Sequence, residues 1–192
     1  ELFHKFHLAP YRNTLVETLS GGWARRVEIA KALLHDPSLI LMDEPSSGLD
    51  PKARIELWNI LSTLKDEGKT IVLTTHHLDE ADHCDELIVM YEGKIVAKGT
   101  PNLLKHRLKM KVVFLKSSQS TEIETFLTKE KDVKISRHRH LLRIEMPENS
   151  QLITTLMESY KGKIDELSYR SPNLEDVFIH FTGSEFEVGA SL

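Results

Sequence analysis

The first 75 residues alternate between helix-like and strand-like patterns of apolar positions. Apolar side chains recur at helical spacing over residues 23–34, and Asp36-Pro37 ends that segment because the residue before a proline avoids the helical conformation. The unbroken apolar run at 38–42 is typical of a parallel strand that is covered on both faces. A second helix is predicted over residues 50–68, with a proline in its first turn, and a second buried strand over residues 70–75.

A short helix and a hairpin follow. The pattern predicts a helix over residues 78–83, a strand over 86–91, and a turn at Glu92-Gly93 that leads into a strand over 94–97. The order of strands and helices down to this point predicts an α/β layer with a mainly parallel sheet.

After Arg107 the pattern changes to the order βαββαβ, which is typical of a small ferredoxin-like α+β domain. The predicted strands are 111–116, 133–137, 141–146 and 163–170, and the predicted helices are 121–129 and 150–160. A last helix is expected over residues 174–181, and the tail from Gly183 is expected to be frayed. We therefore expect two domains, residues 1–108 and residues 109–192.

Composition narrows the class of protein. The 192 residues are 40% hydrophobic and 28% charged, as in an ordinary globular protein, and no apolar run approaches the roughly 20 residues of a membrane-spanning helix. We therefore expect no direct membrane span. A net charge of −4 argues against a nucleic-acid partner that is bound through a broad basic surface, and the single Cys84 excludes an internal disulfide.

Two adjacent acids, Asp43 and Glu44, stand at the end of the first predicted strand. Ligands of open α/β sheets bind at the carboxyl ends of the strands. Asp43 could hold Mg²⁺ through a bound water, and Glu44 could orient or deprotonate a water that attacks a phosphate. On this stretch alone, an acidic turn that only solvates the loop is an equally good interpretation.

Four short motifs resolve the choice by their order and spacing. They are Leu19-Ser20-Gly21-Gly22, Asp43-Glu44, Ser47-Gly48-Leu49-Asp50 and Thr75-His76. Together they resemble the ATP-binding cassette (ABC) family over roughly residues 14–100. The resemblance implies an α/β fold that is part of a P-loop NTPase layer, with ATP and Mg²⁺ as cofactors and ATP hydrolysis as the activity.

The resemblance also implies a role for each motif. Ser20, Gly21 and Gly22 would form the signature motif, which reaches ATP held by the opposite subunit of a dimer. Their position at a helix N-terminus, where Ser20 can act as the cap, suits a phosphate. Asp50 belongs to the D-loop and would line the dimer seam.

The remaining two motifs would carry the catalytic residues. Glu44 closes the Walker B strand, with Asp43 as the residue that faces Mg²⁺. His76 matches the switch histidine, which would hydrogen-bond the γ-phosphate and hold the attacking water together with Glu44.

The sequence contains no Gly-x-x-x-x-Gly-Lys-[Ser/Thr] motif, the phosphate-binding loop of this family. We therefore expect a truncated ATPase subunit that does not hold ATP by itself and whose open sheet edges make it marginally stable or prone to association.

The ending, residues 171–183, resembles that of drug and antibiotic export ATPases of the daunorubicin-resistance type. This resemblance implies an exporter whose partners are a second ATPase subunit, in a homo- or heterodimer, and a separate integral membrane permease. Its location would be cytoplasmic, on the inner face of the membrane. A catalytically idle regulatory partner that lends its signature motif to an intact ATPase is the main alternative. Cassette proteins of DNA repair or translation are a third class, disfavoured because no coiled coil or basic arm is present.

Three features depart from the family pattern or compete with it. Trp23 stands where the family commonly has Gln or Met, and packing is favoured over contact with nucleotide or a partner. Arg25 and Arg26 could bridge to acidic groups or face phosphate, but a solvated helix face is favoured. The histidine-rich stretch after His76 invites a zinc interpretation, which is disfavoured because His77 and His83, six positions apart, would point to different helix faces.

Overall fold

The computed structural model describes residues 2–138 and 140–183. These residues fall into two compact units that divide between His77 and Leu78. The expected division into domains at residues 108 and 109 stays a prediction.

The first unit has three α-helices, two short 3₁₀ segments and a pair of parallel strands. The elements are α1 (Leu2–Lys5), the 3₁₀ segments Ala9–Tyr11 and Val16–Thr18, α2 (Gly21–Ala32), β1 (Leu39–Met42), α3 (Pro51–Asp66) and β2 (Thr70–Leu73). β1 and β2 pair in parallel, with Leu39 opposite Thr70, as the predicted parallel sheet requires. Gly68, with φ at +86°, adopts the left-handed conformation that lets the chain leave α3 and enter β2.

The core of this unit lies between α2, α3 and one face of the strand pair. α3 contributes Leu57, Leu61 and Leu64, spaced so that all three point to one side of the helix. Ile40 of β1 is 4% exposed, whereas Leu39 and Leu41 are 50% and 72% exposed. Within the described residues, β1 is therefore covered on one face rather than on both.

The second unit combines a hairpin region with a four-stranded antiparallel sheet. Its elements are α4 (Leu78–Ala81), β3 (Leu87–Tyr91), β4 (Lys94–Gly99), α5 (Pro101–Arg107), β5 (Met110–Ser117), α6 (Ser120–Leu127), β6 (Lys134–His138), β7 (Leu141–Pro147), α7 (Leu152–Ser159), β8 (Ile164–Arg170) and α8 (Leu174–Thr182). The predicted hairpin is confirmed: β3 and β4 pair antiparallel through Glu92 and Gly93, both with positive φ. The tail predicted to be frayed from Gly183 lies, apart from Gly183 itself, outside the described residues.

The four-stranded sheet has the order β6-β7-β5-β8, so β5, which comes first of these four in the chain, lies between β7 and β8. This order and the sequence βαββαβ confirm the ferredoxin-like domain. Helices α6 and α7 bury Ile123, Leu127 and Leu156 against the apolar side of the sheet. Helix α8 packs Leu174 and Val177 on Ala81, Ala97 and Leu104, and so completes the core of the hairpin region.

Helix α5 is an element that the pattern of apolar positions does not predict. It begins after Thr100, whose hydroxyl accepts a hydrogen bond from the Leu103 N–H at 3.2 Å, and Pro101 occupies its first turn. A capping threonine followed by proline is a helix-start signal that the sequence does contain. The spacing of apolar residues does not reveal this helix, because seven residues are too few to show a helical period.

Candidate functional site

The carboxyl ends of β1 and β2 lie side by side and carry the acidic pair. Met42 is opposite Leu73, and the ladder continues one step further because the Thr74 N–H donates to the Met42 carbonyl at 3.0 Å. Asp43 and Glu44 follow Met42 directly. Both acids therefore stand at the edge where open α/β sheets bind their ligands.

Thr74 joins the two acids. Its hydroxyl donates a hydrogen bond to the Asp43 carboxylate and accepts one from the Glu44 backbone N–H at 3.0 Å. Thr74 is not among the residues predicted from sequence, because only the register of the β1–β2 pair places it between the acids. Its position just after the second apolar run is the signal that could have found it.

Glu44 contacts His76 across the same edge. The His76 Nδ1 lies 2.7 Å from the Glu44 Oε2, and the two side chains are 51% and 42% exposed. Glu44 has φ at +41°, a left-handed conformation that residues other than glycine seldom adopt and that concentrates at functional sites. A carboxylate held beside an imidazole at an open edge can orient a water and take its proton.

Ser20 occupies the N-cap position of α2 in an extended conformation, as predicted, but its hydroxyl makes no capping hydrogen bond. The expectation that it caps the helix is therefore right in position and wrong in mechanism. The first turn is held instead by the Ala24 N–H, which donates to the Ser20 carbonyl at 2.9 Å. The first N–H groups of α2 lie at the positive end of the helix dipole, where an anion is stabilised.

The two glycines after Ser20 have different surroundings. A Cβ on Gly22 would lie 2.8 Å from the Cβ of Ala53, whereas a Cβ on Gly21 would meet nothing nearer than the Leu49 side chain at 3.7 Å. Real Cβ atoms do not approach to 2.8 Å, so Gly22 lets α2 pack against the first turn of α3. Gly21 has room for a Cβ, so packing does not explain why a glycine stands there.

Asp50 caps α3, the helix predicted over residues 50–68. Its carboxylate accepts the Ala53 N–H at 2.9 Å, and Pro51 stands in the first turn. A cavity of about 150 Å³ lies between the first turns of α2 and α3, with Ser20, Gly22 and Asp50 in its lining. None of the residues at the carboxyl ends of β1 and β2 lines it. Ser20, Gly22 and Asp50 therefore form one group around this cavity, and Asp43, Glu44 and His76 form another, the strand-edge group, after β1 and β2.

Comparison with known proteins identifies the family. The family model for the ABC transporter matches residues 1–47. The chain is 39% identical over 178 residues to the Nod factor export ATP-binding protein I of Rhizobium etli, and 34% identical over 191 residues to the daunorubicin/doxorubicin resistance ATP-binding protein DrrA of Streptomyces peucetius. The alignments take in 91% and 95% of this chain. The chain belongs to the ABC transporter ATP-binding family.

The chain spans 55% of the Rhizobium protein and 58% of the Streptomyces protein, a little over half of each. Solved ABC cassettes share its fold. The cbiO1 protein of Clostridium perfringens, part of the ABC transporter complex cbiONQ, superposes on 54% of this chain and 42% of its own with a TM-score of 0.51 at 31% identity. A nucleotide-free cassette from an ABC transporter superposes on 52% of this chain and 40% of its own, with a TM-score of 0.50 at 33% identity. The predicted α/β cassette fold is confirmed.

The carboxylates at the end of β1 suit a magnesium ion that is bound together with a nucleotide. Among residues 2–138 and 140–183, no group of three or more His, Cys, Asp and Glu side chains is arranged to hold a metal ion. Mg²⁺ is commonly bound by one or two carboxylates together with substrate phosphates and water. Asp43 offers one such carboxylate, already oriented by the Thr74 hydroxyl.

The two arginines of α2 differ from each other. The Arg25 side chain is 30% exposed; its guanidinium pairs with Glu28 at 2.6 Å and also donates to the Glu44 carbonyl at 3.5 Å. The expectation of a solvated face is wrong for Arg26, whose side chain is 11% exposed and pairs with Glu56 of α3. Its burial follows from the close approach of α2 and α3, which the sequence pattern does not show. Within residues 2–138 and 140–183, no helix combines the length and the apolar character that a membrane span requires.

Proposed function

We propose that this chain forms part of the ATP-hydrolysing subunit of an ABC exporter. The observation that carries the proposal is the 2.7 Å contact between Glu44 and His76, beside Asp43, at the carboxyl ends of two parallel strands. In this proposal residues 1–108 belong to the ATPase domain and residues 109–192 form an accessory domain.

Each residue of this group has a distinct task. Glu44 orients the attacking water and accepts its proton, and His76 holds the γ-phosphate and the same water in line. Asp43 would hold Mg²⁺, which neutralises charge on the phosphates. Thr74 fixes both acids, since its hydroxyl bonds to the Asp43 carboxylate and to the Glu44 N–H.

The second group would act on a different nucleotide. Ser20, Gly21 and Gly22 stand at the N-terminus of α2, which suits the γ-phosphate of ATP held by a second ATPase subunit. Asp50 would line the seam between the subunits. The arrangement is supported by the positions of Ser20, Gly22 and Asp50 around the cavity between α2 and α3, which no residue of the strand-edge group lines.

The names of the relatives support export. One is named for Nod factor export and the other for resistance to daunorubicin and doxorubicin. We propose the same class of role here, with a separate integral membrane permease as partner and a position on the cytoplasmic face of the membrane.

The proposal is tested by ATP hydrolysis. The purified chain is assayed with Mg²⁺ and ATP, alone and combined with a polypeptide that bears a phosphate-binding loop. We expect the combined sample to hydrolyse ATP and Glu44→Gln to reduce the rate by roughly 100-fold or more, the scale of general-base catalysis. Glu67→Gln is the matched control, because it removes an exposed carboxylate that pairs with Lys5 in the same unit. Its rate should equal that of the parent.

Two outcomes would contradict the proposal. Hydrolysis that survives Glu44→Gln would place the general base elsewhere. A chain that never hydrolyses ATP but accelerates an intact ATPase would favour the regulatory alternative.

A further inference from the structure

Trp23 lies in the first turn of α2, three residues after Ser20, and contacts two side chains. The Tyr11 ring centroid is 4.5 Å from that of the indole, with the planes tilted by 44°. The Arg26 guanidinium carbon lies 4.4 Å from the indole centroid, within the range of a cation–π contact. The indole thus joins the segment before the signature motif to the helix that begins with it.

Arg26 links α2 to α3 and to the segment that precedes α2. One guanidinium nitrogen donates to the Phe6 carbonyl at 3.2 Å, and another pairs with the Glu56 carboxylate of α3. Because the Arg26 side chain is only 11% exposed, water competes little for these contacts. The planar guanidinium can stack on Trp23 and bond Glu56 at the same time, which a lysine ammonium cannot do equally well.

These contacts surround the cavity between the first turns of α2 and α3. Trp23, Arg26 and Glu56 line it together with Ser20 and Asp50. The side chains that link the two helices therefore lie beside the residues that begin them.

We propose that Trp23 is a positioning residue for the signature motif. Together with Arg26, it fixes the first turn of α2, and hence Ser20, relative to Asp50 at the start of α3. This inference rests on the proposed function. Ser20 acts on a phosphate that a second subunit holds, so a displaced Ser20 lowers turnover while nucleotide binding to the phosphate-binding loop is preserved.

The test measures kcat and KM for ATP in the assembled ATPase that includes a phosphate-binding loop. We expect Trp23→Ala to lower kcat by roughly tenfold with KM within about twofold of the parent, since small misplacements of catalytic groups have effects of this size. Trp23→Phe retains a ring for Tyr11 and Arg26 and should recover most of kcat. Arg26→Lys keeps the charge opposite Glu56 but loses the guanidinium contact with the indole, and should also lower kcat.

A double variant shows whether Trp23 and Arg26 act through one shared contact or independently of each other. The variant with both Trp23→Ala and Arg26→Lys should lose much less kcat than the product of the two single losses, because each change disrupts the same contact. Trp58→Phe is the matched control: it removes the other tryptophan, which packs on the core from α3 and does not line the cavity. It should lower the melting temperature and leave kcat unchanged.

The outcomes separate this inference from the proposed function. An inactive parent would overturn the proposed function and this inference with it. An active parent with unchanged kcat in Trp23→Ala, or with equal losses in Trp23→Ala and Trp23→Phe, would overturn the positioning role alone. Thermal unfolding of every variant, followed by circular dichroism, shows that each rate belongs to folded protein.

Discussion

A substitution of Asp176 tests which contacts hold helix α8 in place. It lies in the first turn of α8 with a side chain that is 1% exposed. Arg143 of β7 donates to its Oδ1 at 2.8 Å, and Arg170 of β8 donates to both carboxylate oxygens. The Asn173 N–H donates to its Oδ2 at 2.7 Å, which completes a capping box.

These contacts shift the pKa of both partners. Burial raises the pKa of Asp176, but hydrogen bonds from Arg170, the Asn173 N–H and Arg143 outweigh it and hold the pKa below the ordinary value of a carboxyl. Burial likewise lowers the pKa of Arg143, and its hydrogen bond to Asp176 and the charge of Glu145 more than restore it. The depressed pKa of Asp176 contributes stability that is present above about pH 4 and is lost as the pH falls through the folded-state value.

The loss of stability expected in Asp176→Asn depends on which arginine charges it leaves without a partner. Removing one partner of a buried ion pair costs about 3–5 kcal/mol. In Asp176→Asn, Arg143 keeps Glu145 at 2.5 Å, and Arg170, 35% exposed, can regain water. The amide oxygen also keeps one acceptor. We therefore expect the lower end of the range, about 3 kcal/mol of unfolding free energy at pH 7.

The assay is urea unfolding followed by far-UV circular dichroism at pH 7 and at about pH 3.5, which is below the ordinary pKa of an aspartate carboxyl. Glu175→Gln is the control, because it removes the same charge from the same helical turn and should cost less than about 1 kcal/mol. The difference between wild type and Asp176→Asn should shrink at the lower pH. The reasoning is wrong if Asp176→Asn costs no more than Glu175→Gln at pH 7, or if its cost is equal at both pH values.

Two further predictions concern the first unit. Gly22→Ala should lower the melting temperature, because its Cβ would lie 2.8 Å from the Ala53 Cβ and overpacking costs about 1–3 kcal/mol, whereas Gly21→Ala should be nearly neutral. Equal shifts in a thermal scan would contradict this difference. Leu41, 72% exposed on the open face of β1, should promote association of the purified chain. Leu41→Lys should reduce the concentration dependence of the sedimentation coefficient, and an unchanged dependence would place the contact elsewhere.

Most elements of the fold could be predicted because their signals are local. The helix from Pro51 to Asp66 is flanked by a capping aspartate and by Gly68, and its apolar spacing matches its buried side. Helix α5 is harder to predict. Its capping residue can be recognised in the sequence, but the helix is too short to show a helical period. The exposure of Leu39 and Leu41 could not be predicted, because an apolar run does not tell which neighbours cover each face.

In the candidate site, too, local motifs could be predicted and contacts between distant residues could not. Asp43 and Glu44 are adjacent in the chain, and the motif that contains them is recognisable without a structure. Thr74 is 31 positions from Asp43, and only the strand register brings the two together. The burial of Arg26 likewise depends on how closely α2 approaches α3.

The C-terminal resemblance to export ATPases has a structural explanation rather than a catalytic one. Within four residues, Asn173 caps α8, Leu174 enters the core of the hairpin region, and Asp176 binds two arginines of the four-stranded sheet. One short segment thus satisfies a cap, an apolar contact and a buried charge at fixed spacing. These demands restrict the residue type at three positions, so a segment that contains none of the proposed catalytic residues can still have a recognisable sequence.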